Sequence, residues 1–261
     1  MVLFRHELSC GKHMLWIWSA IISGMLLICI LVYPEMKQQM TDISGMFADM
    51  GAFSAAFGMD QLNFGEFIGF FCVECGNILG LGGAFFAALL GISSLAKEEK
   101  EQTAEFLLTH PIRRQNAVLQ KFAAILTQIL ILNGVVSIVT MAGIAFIQET
   151  PDYGTLALLC FAYLFLQIEI ASICFGVSAF LSKGGLGMGL GLAAVFYFLN
   201  IISNLLDKMD FLKYVTPFSY TEGTFIVTEG RIDGPYFTVG VILALAGILT
   251  AYYWYPKKDI A

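Results

Sequence analysis

The sequence predicts an all-α, polytopic membrane protein with six transmembrane helices. Apolar residues make up 58% of its 261 residues and charged residues only 13%, whereas soluble domains contain about 45–50% and about 25%. Six apolar stretches are long enough to cross a bilayer core, which takes roughly 20 helical residues. Only Glu74 and Glu169 interrupt these stretches with a charge.

The six predicted spans occur in succession along the whole chain. They are Met14–Tyr33, Phe67–Ala96, Phe122–Ile147, Tyr153–Ser182, Gly184–Leu206 and Pro235–Pro256. Each is too long and too continuously apolar for the roughly 10-residue alternating strands of a membrane barrel, so helices are predicted. No shift in composition marks a second domain. We therefore expect residues 1–261 to form a single transmembrane domain.

The first 13 residues, MVLFRHELSCGKH, combine Leu3, Phe4 and Leu8 with charged neighbours. This pattern is typical of a short helix that lies in the membrane interface. An N-terminal interfacial elbow helix is therefore predicted before the first span. The first span is an uncharged, largely apolar stretch of 20 residues, which exceeds the 7–15 of a secretory signal core, so we expect it to be retained.

The distribution of basic residues predicts the orientation of the chain. An even number of spans places both termini on one side, together with ten lysine and arginine residues, against four on the other side. The positive-inside rule then makes the termini cytoplasmic in a multi-pass protein of the inner (cytoplasmic) membrane. The net charge of −6 reflects acidic outer loops and indicates no nucleic-acid partner. We expect the lipid bilayer to surround the six spans.

Two loops on the predicted outer side carry patterns of their own. Methionine and phenylalanine recur at three- and four-residue steps in 34–66. This stripe indicates a helix on the outer leaflet or an adaptable surface for amphipathic ligands. The connection 207–234 is broken by Pro217, Gly223 and Gly230, which favours a re-entrant or surface pair of helices.

The fifth span begins with closely spaced glycines. Gly185/Gly189 and Gly187/Gly191 are both small-xxx-small pairs, which let another helix approach closely. Packing within one subunit and packing between two copies both explain them.

The stretch LAKEEKEQTAEFLLTHPIRRQ, Leu95 to Gln115, carries eight charged residues, four of each sign, between two apolar spans. Its spacing predicts a short amphipathic helix from Leu95 to His110 that ends at Pro111. Its near-zero net charge argues against a lipid-binding device, which would be strongly basic. A helix of this kind can transmit force between a span and a soluble partner.

Within this stretch, EEKEQTAEFLLTHPIRR resembles the segment between the second and third spans in permease subunits of type 2 ABC exporters. FRHEL resembles the start of that family's elbow helix, YVTPFSY its outer proline-aromatic signature, and YYWYPKKDI its last span with a basic tail. The order and spacing of these motifs extend the resemblance over the whole chain. Small exporters of antimicrobial or toxin peptides and immunity permeases are similar in size.

The resemblance implies a coupling helix between spans 2 and 3 that sits in a groove on an ATPase. The implied contact residues are Glu98, Glu99, Thr103, Phe106, Leu107, His110, Arg113 and Arg114. It also implies a second permease copy, as a homodimer, and two ABC ATPase subunits. An alternative is that the charges form a solvated face and that Phe106 and Leu107 touch lipid.

We expect the energy for transport to come from ATP hydrolysis by a separate partner subunit. The chain has no G-x-x-x-x-G-K-[ST] loop for phosphates, because its Gly11-Lys12 pair is followed by His13 and lacks the earlier glycine. We therefore expect no cofactor in this chain, with ATP and Mg²⁺ bound by the separate ATPase.

Four polar residues inside the spans are candidates for the translocation pathway. Glu169 lies near the middle of its span, where an ionised side chain costs at least about 2.5–3.5 kcal/mol, so it should face protein or water. Gln128 and Asn133 are possible polar companions, as is Gln167, which is not itself a pathway candidate, and Glu74 lies nearer the outer boundary. A helix-to-helix hydrogen bond and a role in lining the cavity both remain open for Glu169.

These observations predict a transport subunit rather than an enzyme, and an ATP-driven exporter of an amphipathic substrate such as a peptide. A secondary carrier is an alternative, although it would more naturally show several intramembrane ionisable groups. An intramembrane enzyme is a weaker one. The three histidines are predicted to be cytoplasmic, and Thr103 stands where a Glu-Glu-x-x-x-Arg motif from Glu98 needs arginine. No metal site is predicted, since Cys72 and Cys75 have no second ligand pair.

Overall fold

The structure of the protein is a computed structural model that describes residues 2–49, 66–100, 114–181 and 185–258, with the backbone alone at 2, 38–49, 97–100 and 207. Every regular element in these ranges is helical. Six helices are long and apolar enough to cross a membrane. The predicted all-α, six-span architecture is confirmed.

Eight α-helices make up most of the described chain. They are α1 (Val2–Asp49), α2 (Phe67–Cys75), α3 (Gly82–Lys100), α4 (Arg114–Ile147), α5 (Tyr153–Ser178), α6 (Leu186–Leu205), α7 (Gly223–Glu229) and α8 (Gly234–Trp254). A π-helical turn, Gly76–Leu81, joins α2 to α3 within the second span. Three 3₁₀ segments complete the described structure, at Asp207–Tyr214, Ser219–Thr221 and Tyr255–Lys257.

The six helices that are long and apolar enough to cross a membrane overlap the predicted spans, with differences at their ends. They are Leu3–Lys37, Phe67–Ala96, Arg114–Ile147, Tyr153–Ser178, Leu186–Leu205 and Gly234–Lys257. The first and third begin earlier than predicted because polar residues such as lysine, glutamine and glutamate are good helix formers. A helix therefore continues past the apolar stretch that identifies the membrane segment.

The predicted separate elbow helix at residues 1–13 is wrong as a distinct element, because α1 runs without a break from Val2 into the first span. Gly11 does not end the helix. It lies so close to the Gln128 side chain of α4 that a Cβ would clash there. The same region is held along α4 by the Phe4 N–H, which donates to Gln120 Oε1 at 3.4 Å. Close packing on α4 thus keeps the N-terminal residues on the same helical axis as the rest of α1.

Helix α1 is much longer than a bilayer core is thick. Its 48 residues correspond to about 72 Å at 1.5 Å per residue, against a core of about 30 Å. The helix continues through Pro34 to Asp49. The first part of the methionine and phenylalanine stripe is therefore helical as predicted, but continuous with the span. Residues 50–65 lie outside the described part of the chain.

Side-chain contacts show which helix ends lie together. The start of α1 contacts the start of α4, and the start of α4 contacts the residues after α8. We call this the terminal end, because the first and the last described residues of the chain approach it. At the opposite end, Lys37 forms an ion pair with Glu149 at 2.7 Å, and the Tyr33 ring packs on Phe67 at 5.2 Å. The charge asymmetry predicts that the terminal end is cytoplasmic.

The opposite end also carries the predicted pair of short helices. The 3₁₀ segment Asp207–Tyr214 and helix α7 flank a stretch from Thr216 to Thr221 that is buried against the bundle. Gly230 ends α7 in the left-handed conformation, with φ 63°, which glycine adopts without steric cost. The interruptions in the sequence therefore mark real ends of helices.

Helix α5 lies at the centre of the bundle and packs most extensively on α3 and α8. Its contacts are close enough to involve backbone. A Cβ on Gly176 would lie 2.8 Å from the Gly247 carbonyl oxygen of α8, and a Cβ on Gly247 would clash with the Ser172 carbonyl. On the α3 side, a Cβ on Gly91 would clash with the Ala171 carbonyl. Glycine at these three positions sets the distance between the helices.

The glycines of α6 divide between two faces. Gly189 packs on α3, where its Cβ would lie 2.7 Å from Ile92, and Gly185 lies beside the same isoleucine. Nothing in the described structure lies within 4 Å of a Cβ at Gly187 or Gly191. One pair therefore serves packing within the chain, and the other lies on an open face.

Replacing Gly247 by alanine should destabilise the bundle. The added methyl group meets the Ser172 backbone, which cannot rotate away, and overpacking of this kind costs about 1–3 kcal/mol. Thermal unfolding of the purified chain in detergent measures the loss. Gly134→Ala in α4 is the matched control, because its Cβ would meet nothing within 4 Å. Equal stability of the two variants would contradict the close α5–α8 contact.

Candidate functional site

The structure describes only part of the predicted coupling segment. Thr103, Phe106, Leu107, His110 and Arg113 lie outside the described residues, and so do the side chains of Glu98 and Glu99. The backbone on either side is described. Helix α3 continues to Lys100 and α4 begins at Arg114. The end of α3 and the start of α4, which flank the segment, both belong to the terminal end.

Arg114 ties the start of α4 to the end of α8. Its Nη1 donates to the carbonyl oxygens of Pro256, at 3.1 Å, and Lys258, at 3.2 Å. The Lys258 ammonium in turn donates to the Leu181 carbonyl after α5, at 2.8 Å. These cations satisfy carbonyls that the ends of helices leave without a partner. We call this set of contacts the Arg114 brace.

Lys121 ties α4 to α1 and α3. It is 1% exposed, and its ammonium pairs with Glu7 Oε1 at 3.1 Å and donates to the Ser94 carbonyl at 2.6 Å. A buried charge needs such partners because desolvation is costly. In the sequence, Lys121 is one of the ten basic residues that predict the orientation, and nothing in its neighbours indicates the burial.

Two of the predicted polar companions meet in the membrane. Asn133 Nδ2 donates to Gln167 Oε1 at 2.7 Å and so joins α4 to α5. The Gln167 side chain also lies against Gly83 of α3, where a Cβ would clash with it. Gln128 lies apart, against Gly11 of α1. Neither glutamine nor the asparagine is hydrogen-bonded to Glu169 in the described contacts.

Glu169 of α5 is fully buried against α8 and the segment Ser219–Thr221. The Tyr220 hydroxyl donates to Glu169 Oε2 at 2.6 Å. Gly240 of α8 leaves room for the same oxygen, since a Cβ there would lie 2.5 Å away. These contacts favour the interpretation of Glu169 as a structural hydrogen-bond partner. The motif YVTPFSY marked the segment, but nothing in the sequence paired Tyr220 with Glu169.

Glu74 is half-buried and faces α1, where the Cys29 thiol donates to its Oε2 at 3.7 Å. It therefore connects the first two spans in the half of the bundle nearer the opposite end.

A polar cavity lies near the opposite end, between the second span, α6 and the buried segment before α7. Its volume is about 80 Å³, which is room for a few water molecules. The polar residues that line it are Asn77, Tyr163, Tyr197, Asn200, Asn204, Thr221, Glu222 and Thr224. We call it the asparagine cavity. It contains none of the four predicted pathway residues.

The asparagine cavity depends on the π-helical turn of the second span. This turn includes Gly76 and Asn77, and Tyr197 of α6 donates its hydroxyl to Asn77 Oδ1 at 3.2 Å. The absence of a Cβ at Gly76 leaves room for the Tyr163 hydroxyl. Single π-turns occur often at functional sites. The sequence shows these asparagines only as isolated polar residues, and periodicity alone does not bring them together.

A comparison with known families matches residues 1–260 to the model described as ABC-2 family transporter protein. The chain belongs to the ABC-2 transporter family. The match confirms the resemblance found in the short motifs and extends it over nearly the whole chain. No curated protein matches the chain. This ABC-2 protein is thus a multi-pass permease subunit of an ABC transporter, and its family implies an ABC ATPase partner.

Within this ABC-2 permease, the polar contacts divide by position. Lys121 and the Arg114 brace connect spans at the terminal end, on both sides of the predicted coupling segment. The Glu169–Tyr220 bond and the asparagine cavity lie toward the opposite end. The two ends are connected by the tightly packed helix α5.

Loss of the Tyr220 hydroxyl should destabilise the protein. Tyr220→Phe removes the donor to a buried carboxyl group, which costs about 1–3 kcal/mol in the free energy of unfolding. Tyr253→Phe in α8, where the ring is exposed, should leave stability unchanged. Combining Tyr220→Phe with Glu169→Leu should cost less than the sum of the single changes. Strict additivity in thermal unfolding would show that the two side chains do not interact.

Proposed function

We propose that this chain is the permease subunit of an ATP-driven exporter that works as a homodimer with two ATPase subunits. It moves an amphipathic compound, such as a peptide, out of the cytoplasm. The observation that carries the proposal is the pair of connections on either side of 101–113. Before the segment, α3 is bonded through Ser94 to Lys121 of α4, and after it Arg114 is bonded to the residues that follow α8.

These connections support a coupling role for the segment. A force applied to 101–113 acts directly on α3 and α4. The bond between Lys121 and Glu7 transmits this force to α1, and the Arg114 brace transmits it to the ends of α8 and α5. Five of the six spans are therefore mechanically connected to one short segment. The sequence has no phosphate-binding loop of the G-x-x-x-x-G-K-[ST] type, so ATP and Mg²⁺ belong to the partner in this proposal.

The proposed homodimer is supported by the open face of α6. Gly187 and Gly191 lie on this face without a neighbour in the described structure, and Met188, Val195 and Phe198 are exposed beside them. Small residues let two helices pack closely in lipid. The amphipathic substrate is supported by the acidic outer loops and by the methionine and phenylalanine stripe in 34–66.

Changing the face of the predicted coupling helix that carries both Glu99 and Phe106 should uncouple transport from hydrolysis. In vesicles that contain the chain and its ATPase, Phe106→Ala or Glu99→Ala should lower the amount of substrate moved per ATP hydrolysed by about tenfold, a change of the size that is usual for coupling between two sites. Gln102→Ala, on the other predicted face, is the control. An unchanged transport-to-hydrolysis ratio in both variants would refute the coupling role.

Arg114→Ala separates two roles for this residue. If Arg114 mainly supports α8 and α5, as its hydrogen bonds indicate, the variant should still co-purify with the ATPase but show a lower transport-to-hydrolysis ratio. Lys257→Ala, a neighbouring basic change, should preserve that ratio. Loss of co-purification would instead identify Arg114 as a contact with the ATPase, as the family resemblance implies.

A further inference from the structure

We propose that the asparagine cavity binds an uncharged amide group of the substrate. This inference rests on the proposed export function and narrows its substrate to compounds that carry a carboxamide or a peptide bond. It depends on which polar groups of the cavity wall are hydrogen-bonded within the chain and which are not.

Part of the wall is fixed by interactions within the chain. The Asn77 amide oxygen accepts from the Tyr197 hydroxyl at 3.2 Å, and the Thr221 hydroxyl donates to a backbone carbonyl at 2.7 Å. The Glu222 carboxylate interacts electrostatically with Lys213, which lies outside the lining. These groups shape the cavity, but their own bonding capacity is at least partly used. The ligand must therefore be inferred from the other polar groups of the wall.

Three other side chains of the wall have no hydrogen-bond partner among the described residues. They are Tyr163 of α5 and Asn200 and Asn204 of α6. Tyr163 is only 3% exposed, and its hydroxyl lies beside Gly76 of the π-helical turn. A hydroxyl without a partner is costly at a buried position. We therefore expect a group inside the cavity to bond it.

These three side chains need a ligand that both donates and accepts. Asn200 and Asn204 are four residues apart on α6, so they lie on the same face of the helix. Each primary amide has two N–H donors and a carbonyl acceptor, and the Tyr163 hydroxyl can donate and accept. An ammonium group offers no acceptor to the N–H groups, and a carboxylate offers no donor to the amide oxygens. An uncharged group with both functions therefore matches this part of the wall.

An amide matches it better than an alcohol does. The carbonyl and N–H of an amide are on separate atoms, so they can bond two side chains at once, whereas an alcohol uses one oxygen for both roles. Tyr197 and Phe218 add aromatic rings to the lining, and these rings meet edge-to-face at 5.4 Å. A planar amide packs on such rings by van der Waals contact.

The size of the cavity limits what part of a substrate it takes. Its volume of about 80 Å³ is room for an amide group with one or two carbons, but not for a whole peptide. The asparagine cavity is therefore a site for one amide of a larger molecule.

Saturation-transfer difference NMR of N-methylacetamide with the full chain in lipid nanodiscs tests this inference. After subtraction of empty nanodiscs, the signal should saturate as the concentration of the amide rises. Asn200→Leu and Tyr163→Phe should each weaken binding about fivefold, the usual effect of one hydrogen bond. Asn116→Leu is the matched control, because Asn116 is exposed at the start of α4 and does not line the cavity. A signal that rises in proportion to concentration, without saturation, would overturn the inference.

Thermal unfolding separates this role of Asn200 from a structural one. The Asn200 side chain has no hydrogen-bond partner among the described residues, so Asn200→Leu should keep the thermal stability of the wild type while it loses affinity for the amide. Asn200→Gln, which keeps the amide group, should bind more tightly than Asn200→Leu. A marked loss of stability in Asn200→Leu would identify a structural partner for this side chain and would also overturn the inference.

Small competitors define the chemistry of the ligand. Methanol and methylammonium, each at the same concentration as N-methylacetamide, should displace little of it. Full displacement by either would identify a hydroxyl or a cation site and would contradict the amide preference. Comparison with acetamide identifies the source of the amide in the substrate. Tighter binding of acetamide would indicate an asparagine or glutamine side chain, and tighter binding of N-methylacetamide a peptide bond.

The NMR experiment contains no ATPase, so its outcome is independent of coupling. Saturable amide binding together with no association between the chain and an ATPase would refute the proposed export function alone. Coupled transport together with no saturable amide binding would refute this inference alone.

Discussion

The structure depends on backbone contact between helices in an environment that does not drive them together. Lipid tails are as apolar as leucine side chains, so helices in a bilayer associate through close packing and interhelical hydrogen bonds. In this ABC-2 permease, Gly91, Gly176 and Gly247 bring α3 and α8 into contact with the backbone of α5. The central position of α5 follows, because a side chain at any of these points would separate the layers.

Polar residues in the spans connect helices that the glycines have already brought close. Asn133 reaches Gln167 across the α4–α5 contact, and Glu169 reaches Tyr220 past the space left by Gly240. Each group is satisfied at least in part inside the protein, where an isolated polar group would be costly. Tyr220 thus satisfies one oxygen of the buried glutamate, whereas Glu169 Oε1 has no hydrogen-bond partner among the described residues.

Much of the architecture could be predicted because a bilayer core restricts a chain so strongly. The second span was predicted as one apolar stretch from Phe67, and the helix that begins at Phe67 lies at that place in the structure. Helix α1 was predicted too short and with a separate elbow, because hydropathy identifies the lipid-facing part and not the polar turns that continue it. The contact of Gly11 with Gln128, which keeps α1 in line with α4, joins residues far apart in the sequence.

The sequence by itself determined the number of spans, the helical class and the ABC-2 resemblance, because each depends on local composition and on the order of short motifs. Only the tertiary structure decided which polar residues meet. Glu169 is partnered with Tyr220 and not with Gln128, and the π-helical turn brings Asn77 beside α6. Such pairings depend on helix rotation and on the distance between helices. Small residues on neighbouring helices set both, and a single helix's hydrophobic pattern contains neither.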